Sequence, residues 1–234
     1  RPVVCGGPFE LVTYKRKRIA LFRRNPNWYG AKPRMTGFGL QSFTSDDAMV
    51  AALRDGGIDA VESLPVTAVA AVRKAGLTVS VSSGLEFPDL IVTSHPAKPR
   101  RRELLEPAVR EAFEAAIDRS QIVATAWQGY GRPGDSIIPP ASGGGWHHDS
   151  LRVVAYDPSR ANQLLDSLGY ARGADGIRVA GDHPMRYPVI IPDSERGAGD
   201  RAFQIIRRGL GQVGVQVEPR YLDTAAAWEA LTAP

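Results

Sequence analysis

The sequence predicts a mixed α/β protein in two parts, and three observations carry that expectation. Strand-like runs alternate with helix-patterned runs over the first third of the chain. The tract His95-Pro96-Ala97-Lys98-Pro99-Arg100-Arg101-Arg102 then interrupts the periodicity with prolines and charge, and the remainder is helix-rich. At roughly 150 residues per domain, 234 residues suit one large domain or two small ones. We place the domain crossing at the interrupting tract, with a first part over residues 1–93 and a second over 94–234.

The elements follow in order. Phe9 to Tyr14 and Ile19 to Phe22 flank Lys15-Arg16-Lys17-Arg18 and predict a hairpin with a solvated, charged turn. Asn25 to Pro33 is dense in breakers and aromatics, an ordered loop whose rings are expected to pack on the body. A strand is expected over Phe38 to Phe43. Ser45-Asp46-Asp47 opens a helix through Met49, Ala52 and Leu53 that Gly56-Gly57 ends. Ile58 to Val61 predicts a strand, Thr67 to Lys74 a helix closed by Gly76, Leu77 to Val81 another strand, and Leu90 to Val92 a buried one.

Beyond the crossing, Val109, Phe113, Ala116 and Ile117 share one face of a helix that starts near Pro107, and Ile122 and Val123 extend the apolar pattern past Asp118. Gln128 to Trp146 is a Gly/Pro-rich loop, long enough to suggest a functional role. Asp157-Pro158 caps a helix carrying Ala161, Leu164, Leu165 and Leu168, which stops at Gly169. Tyr187 to Ile191 predicts a strand, and Phe203, Ile206, Leu210 and Val213 stripe a helix. Val215 to Glu218 alternates as a half-buried strand, and Trp228 and Leu231 mark a short last helix.

Composition narrows the classes. Hydrophobic residues at 43% and charged residues at 23% give the balance of a protein with a packed core. The 24 glycines and 18 prolines are too few for a collagen or linker composition. The longest near-apolar run, Val66 to Val72, is far shorter than the ~18 residues that span a bilayer. Net charge is +4, and arginine supplies 24 of the 29 basic residues. With alanine also abundant, that imbalance reads as codon bias as much as phosphate binding. A single cysteine, Cys5, excludes an internal disulfide and leaves the compartment open. Val3-Val4-Cys5-Gly6 resembles a lipoprotein cleavage site only superficially: no charged and apolar leader precedes it. Any export signal is expected upstream.

No catalytic signature stands out. Gly129-Tyr130-Gly131-Arg132-Pro133-Gly134 fits a dinucleotide fingerprint by letter, but it follows a helix and runs into Pro139-Pro140, so it reads as a turn. His147-His148-Asp149 would need a third ligand at suitable spacing to bind a metal. His95 and His183 each precede proline and read as loop residues. The acidic pairs Asp46-Asp47 and Asp193 with Glu195 read as helix starts and solvated loops. There is no nucleophile elbow and no phosphate-binding glycine loop. The arginines are scattered outside any nucleic-acid-binding module, so no nucleic-acid partner is expected.

Six segments taken in order resemble one family. Gly7-Pro8-Phe9-Glu10-Leu11-Val12, then Arg23-Arg24-Asn25-Pro26-Asn27-Trp28-Tyr29-Gly30, then Ala52-Leu53-Arg54-Asp55-Gly56-Gly57-Ile58-Asp59 are similar to the bacterial extracellular solute-binding proteins of family 5, the dipeptide, oligopeptide and nickel class. Val109-Arg110-Glu111-Ala112 with Ala116-Ile117-Asp118-Arg119 and Ile122-Val123, followed by Ile138-Pro139-Pro140, continues the likeness. So do Tyr156-Asp157-Pro158 through Gly169-Tyr170, and Val213-Gly214-Val215-Gln216-Val217-Glu218. The chain departs from the family at Cys5-Gly6-Gly7, at the order Trp28-Tyr29, and over Gly84 to Thr93. It also resembles an internal piece of the longer family members.

The resemblance implies a two-lobed, periplasmic-binding-protein-like fold of the type II, peptide-binding cluster, here part of lobe one plus most of lobe two. It implies a non-enzymatic receptor that takes up a dipeptide- or oligopeptide-like solute by hinge closure and delivers it to the permease subunits of an ABC importer. The setting implied is extracytoplasmic, with membrane attachment only through a missing N-terminal anchor, and no cofactor or resident metal. Leu85, Glu86 and Phe87 are the ligand or hinge candidates, and Gly131, Arg132 and Ser136 a rim on the second lobe. Two other functions remain open at this point. One is a cell-envelope regulatory or interaction protein that keeps the fold without transport; the other is a metal enzyme using His147, His148 and Asp149.

Overall fold

The structure, a computed structural model, describes residues 5–97 and 100–232. The chain divides into two compact units between Ser80 and Val81. Among the described residues no helix is long and apolar enough to cross a membrane.

The first unit is built on an antiparallel sheet of β1 (Phe9–Lys15), β2 (Ile19–Arg24) and β3 (Gly37–Gln41), with β2 central. Its basic turn closes with Arg18 N–H donating to Lys15 O at 3.0 Å while Lys17 takes a positive φ of 56°. Leu11 faces Phe22 and Thr13 faces Leu21, so Val12 is the extra residue of a β-bulge. One face of the sheet carries an aromatic row: Phe38 meets Phe9 edge-on at 5.0 Å and stacks on Phe22 at 4.7 Å. Asn25 is buried after β2, where its amide donates to Gly7 O at 2.8 Å and its Oδ1 accepts from Asn27 N–H at 2.9 Å.

Two helices complete this unit. In α1 (Asp46–Arg54), Ser45 Oγ accepts from Ala48 N–H at 3.2 Å, and α2 (Val69–Lys74) continues a 3₁₀ turn over Val66–Ala68. Three expectations fail here. Ile58 to Val61 and Leu77 to Val81 have strand-forming residues but join no ladder in the structure. Tyr29 is 88% exposed, its ring 4.3 Å from Trp28 rather than packed on the body.

The second unit has the larger core. Helices α3 (Pro107–Ala116), α4 (Arg119–Ala126) and α5 (Pro158–Ser167) come first, and each start is specified locally. Pro107 occupies the first turn of α3, Asp118 caps α4 through Gln121 N–H at 2.9 Å, and Asp157 caps α5 through Arg160 N–H at 2.9 Å. Asp118 thus splits the apolar pattern into two helices. A small ribbon, β4 (Val179–Ala180) with β5 (His183–Pro184), precedes a parallel pair, β6 (Arg186–Pro192) and β7 (Gln216–Leu222). The helix α6 (Ala198–Gln212) is the crossover that parallel pairing needs, and α7 (Thr224–Thr232) follows.

Val109, Phe113 and Ala116 of α3, Leu165 of α5, Tyr187 and Ile191 of β6, and Phe203 and Leu210 of α6 share one buried cluster. Gly209 permits its closest approach: a Cβ there would stand 2.2 Å from Ala116 O. Leu90 to Val92, expected as a buried strand, joins no ladder, and Ile91 is 54% exposed.

Candidate functional site

The structured part of the second unit begins with a polar knot. Arg101 adopts the left-handed conformation at φ 57°, and a 3₁₀ turn over Arg102–Leu105 then turns Glu103 inward until only 8% of it is exposed. Burying a carboxyl group is costly unless it is hydrogen-bonded, and two side chains supply the partners. Tyr187 Oη donates to Glu103 Oε1 at 2.8 Å, and His183 Nε2 lies 3.3 Å from the same oxygen. His183 Nδ1 is 3.2 Å from Asp182 Oδ1, so the imidazole bridges an exposed and a buried carboxyl group.

The electrostatics follow from these contacts. Burial first, and then the hydrogen bond to Glu103, pushes the Tyr187 phenol far above its ordinary value. The Asp182 carboxylate, and after it Glu103, raises His183. Burial raises Tyr170, with Glu103 and Glu106 adding to it. The Arg101 guanidinium stands 5.4 Å from the centre of the Tyr187 ring. The reading of His183 as a plain loop residue is therefore corrected: it sits in β5 and is tied to the knot. Beside the knot opens a cavity of about 240 Å³, lined among others by Leu90, Val92, Arg101, Phe113 and Val189. This arrangement can hold the Leu90–Thr93 tract against the body of the unit.

The second feature is the loop between α4 and α5. Arg119 anchors it by donating to Gly134 O at 3.1 Å and Val154 O at 2.6 Å. His147 pins its middle, with Nδ1 2.6 Å from Ile138 O and Nε2 3.6 Å from Asp135 and 3.4 Å from Asp149. His148 turns elsewhere, to Ser150 Oγ at 3.2 Å. Among the described residues no group of three or more His, Cys, Asp and Glu side chains is arranged to hold a metal ion.

The six candidate residues fall in two places. Leu85, Glu86 and Phe87 lie in an exposed tract outside any helix or strand, with a bend at Leu85; Leu85 is 61% and Phe87 41% exposed. Gly131, Arg132 and Ser136 lie in the α4–α5 loop. There Arg132 is 3.8 Å from Asp135, and Ser136 Oγ accepts from Ile138 N–H at 3.0 Å. No hydrogen bond or ion pair among the described residues joins the two tracts. Sequence reasoning missed Glu103, Tyr187 and His183 as a group. The available signal was a lone acid, Glu103, closing a run of three arginines.

Comparison with known proteins places this geometry in a family. The family model for bacterial extracellular solute-binding proteins, family 5, middle region, matches residues 1–233. An oligopeptide-binding protein OppA of Mycobacterium tuberculosis is 30% identical over 226 residues, covering 93% of this chain and 36% of its own. Protein XP55 of Streptomyces lividans is 24% identical over 228 residues, covering 97% of this chain and 40% of its own. The chain thus spans about two-fifths of the length of the curated relatives it matches.

Two solved structures share the fold. NikA from Brucella suis in complex with Fe(III)-EDTA superposes with TM-score 0.73 at 20% identity over 96% of this chain and 45% of that one. AppA from Bacillus subtilis in complex with a nonapeptide gives 0.68 at 18% identity over 97% and 44%. Both matches support the two-lobed fold that the resemblance implies, here covered in part. With the match running through both units, the chain belongs to family 5 of the bacterial extracellular solute-binding proteins.

Proposed function

We propose that this chain is part of the substrate-binding component of an ABC-type importer. In this reading the whole protein captures a dipeptide- or oligopeptide-like solute by closing two lobes about a hinge and delivers it to membrane permease subunits. The family match over residues 1–233 carries the reading. Support comes from an oligopeptide-binding relative, a glutathione-binding relative from Salmonella typhimurium, and the nonapeptide held by the Bacillus subtilis protein. The protein works outside the cytoplasm, tethered through an N-terminal lipid anchor.

Leu85, Glu86 and Phe87 are assigned to the solute-facing or hinge tract, and the exposure of Leu85 and Phe87 fits that role. Gly131, Arg132 and Ser136 form a rim on the second lobe. Peptide capture in such a cleft rests on main-chain pairing and capture of terminal charges, with bridging waters tolerating varied side chains. The boundary between the lobes is assigned to residues 93–94.

Native mass spectrometry of the full natural protein, purified without denaturant, tests the reading. Co-retained peptide masses are the expected result. A protein that carries no ligand and takes none up from peptide or metal-chelate pools would overturn it. The 234-residue chain alone is expected to bind peptide weakly or not at all, and micromolar binding by calorimetry would refute that part.

A further inference from the structure

We infer that the tip of the β1–β2 hairpin is a docking surface for a bilayer bearing anionic phospholipid headgroups. Lys15, Arg16, Lys17 and Arg18 occupy consecutive positions there, and all four are exposed. Among the described residues no carboxylate lies within ion-pair distance of any of them, whereas Arg23, one strand away, is paired with Glu10 at 2.5 Å. The turn that presents them is fixed by the backbone: Arg18 N–H donates to Lys15 O at 3.0 Å, and Ser42 N–H donates to Arg18 O at 2.9 Å.

Two further observations favour a lipid surface. First, a depression of about 270 Å³ at the tip is lined by Lys15, Arg18, Ile19, Gln41 and Ser42. Two cations, an amide and a hydroxyl around one hollow match the acceptor oxygens of a phosphodiester headgroup. Secondly, the next cross-strand row, which points to the other face of the hairpin from Lys15, carries two exposed apolar side chains. Tyr14 faces Ala20, which faces Leu40, and Tyr14 and Leu40 are 66% and 59% exposed. Cations beside an exposed tyrosine and leucine suit the boundary between headgroups and acyl chains, where an aromatic ring can bury its body and keep its hydroxyl wet. A nucleic-acid duplex offers phosphates to the cations but gives this apolar row nothing to enter.

Each basic side chain at an anionic surface contributes about fivefold in partitioning, and salt screens the effect within a Debye length. The inference does not depend on which solute the protein carries. The test is flotation of the full natural polypeptide, produced without the acyl groups of its anchor so that only the protein surface can bind, with phosphatidylcholine vesicles, with and without about one-third phosphatidylglycerol. The expected result is binding to the anionic vesicles alone, falling steeply with salt. The combined Lys15→Gln, Arg16→Gln, Lys17→Gln and Arg18→Gln variant should weaken it by at least about 100-fold. Tyr14→Ser should weaken it by a smaller factor that persists at high salt.

Equal binding to neutral vesicles, or full retention by the four-fold variant, would overturn the inference. Complete displacement by millimolar inorganic phosphate would also overturn it, because the hollow would then be a soluble-anion site. Tighter binding to a short DNA duplex than to the vesicles would reassign the surface to nucleic acid. The wild-type salt titration needs no variant, so a misfolded mutant cannot leave the question open.

Discussion

Tyr187 and Glu103, 84 residues apart in sequence, share one buried hydrogen bond: the phenol donates to Glu103 Oε1 at 2.8 Å. The contact ties strand β6 to the turn that introduces α3. Tyr187→Phe removes the donor and keeps the ring, whose centre stands 5.9 Å from that of Phe113. A hydrogen bond to a charged group contributes about 1.5–3 kcal/mol, so the variant should lose that much stability. The readout is the urea midpoint at unchanged m-value. A shift below about 0.5 kcal/mol would mean that water replaces the phenol at Glu103.

His183 makes this region sensitive to pH. Its pKa is raised in the folded protein, by Asp182 first and Glu103 second, so the folded state binds its proton more tightly than the unfolded chain does. The stabilisation is therefore complete below the unfolded value of about 6.5. It disappears as pH rises through the higher folded value. A proton NMR titration should place the His183 ring above about 6.5, and Asp182→Asn and Glu103→Gln should each lower it. A ring that titrates at or below the free value would refute the bridge.

Arg178 is the most deeply buried charge among the described residues, 1% exposed, and its partners surround it. Its Nε donates to Val213 O at 2.7 Å, and Nη1 donates to Asp166 Oδ1 at 2.6 Å and Tyr170 O at 2.5 Å. Nη2 donates to Asn162 Oδ1 at 2.9 Å. One guanidinium thus joins α5, the turn after it, and the end of α6. Arg178→Ala would leave Val213 O and Tyr170 O without this donor beside a hole, at about 1–3 kcal/mol for each acceptor left buried. Arg178→Lys should recover only part of that, because an ammonium cannot span the same fork. Thermal and urea unfolding of the three proteins would show the ranking, and equal loss in both variants would contradict it.

Local chemistry explains which parts could be read from the chain. Ser45 and Asp157 announce their helices because a cap acts within three residues, and Phe203, Ile206, Leu210 and Val213 announce α6 by spacing alone. Leu77 to Val81 and Leu90 to Val92 have the residue types of strands, but a strand requires a partner that composition does not specify, and here neither run has a ladder. Glu103 was hidden because its burial is decided by Tyr187 and His183, far along the sequence. Arg178 was hidden likewise, since the groups that bury it come from α5, the turn after it and the end of α6. The family was legible because six short motifs keep their order. The role proposed for Leu85 and Phe87 was not, since both are exposed apolar side chains that no local spacing or cap singles out.

Gly209 gives the last prediction. It lies inside α6, where glycine costs about 1 kcal/mol relative to alanine by helix propensity alone. In an open site Gly209→Ala would therefore stabilise the protein. Here the added Cβ would stand 2.2 Å from Ala116 O and 3.2 Å from Ala116 C, both backbone atoms at the end of α3. Neither can rotate away, so α6 must move off α3, and that movement loosens the core cluster to which Leu210 and Phe203 of α6 and Ala116 and Phe113 of α3 belong. Overpacking of this kind typically costs about 1–3 kcal/mol, which should exceed the gain in propensity. The expected outcome is a lower urea midpoint with helical circular dichroism retained. Gly211→Ala, two residues on and with open space around its Cβ position, should be neutral or stabilising. If both variants gained stability, the close approach of α6 to α3 would be wrong.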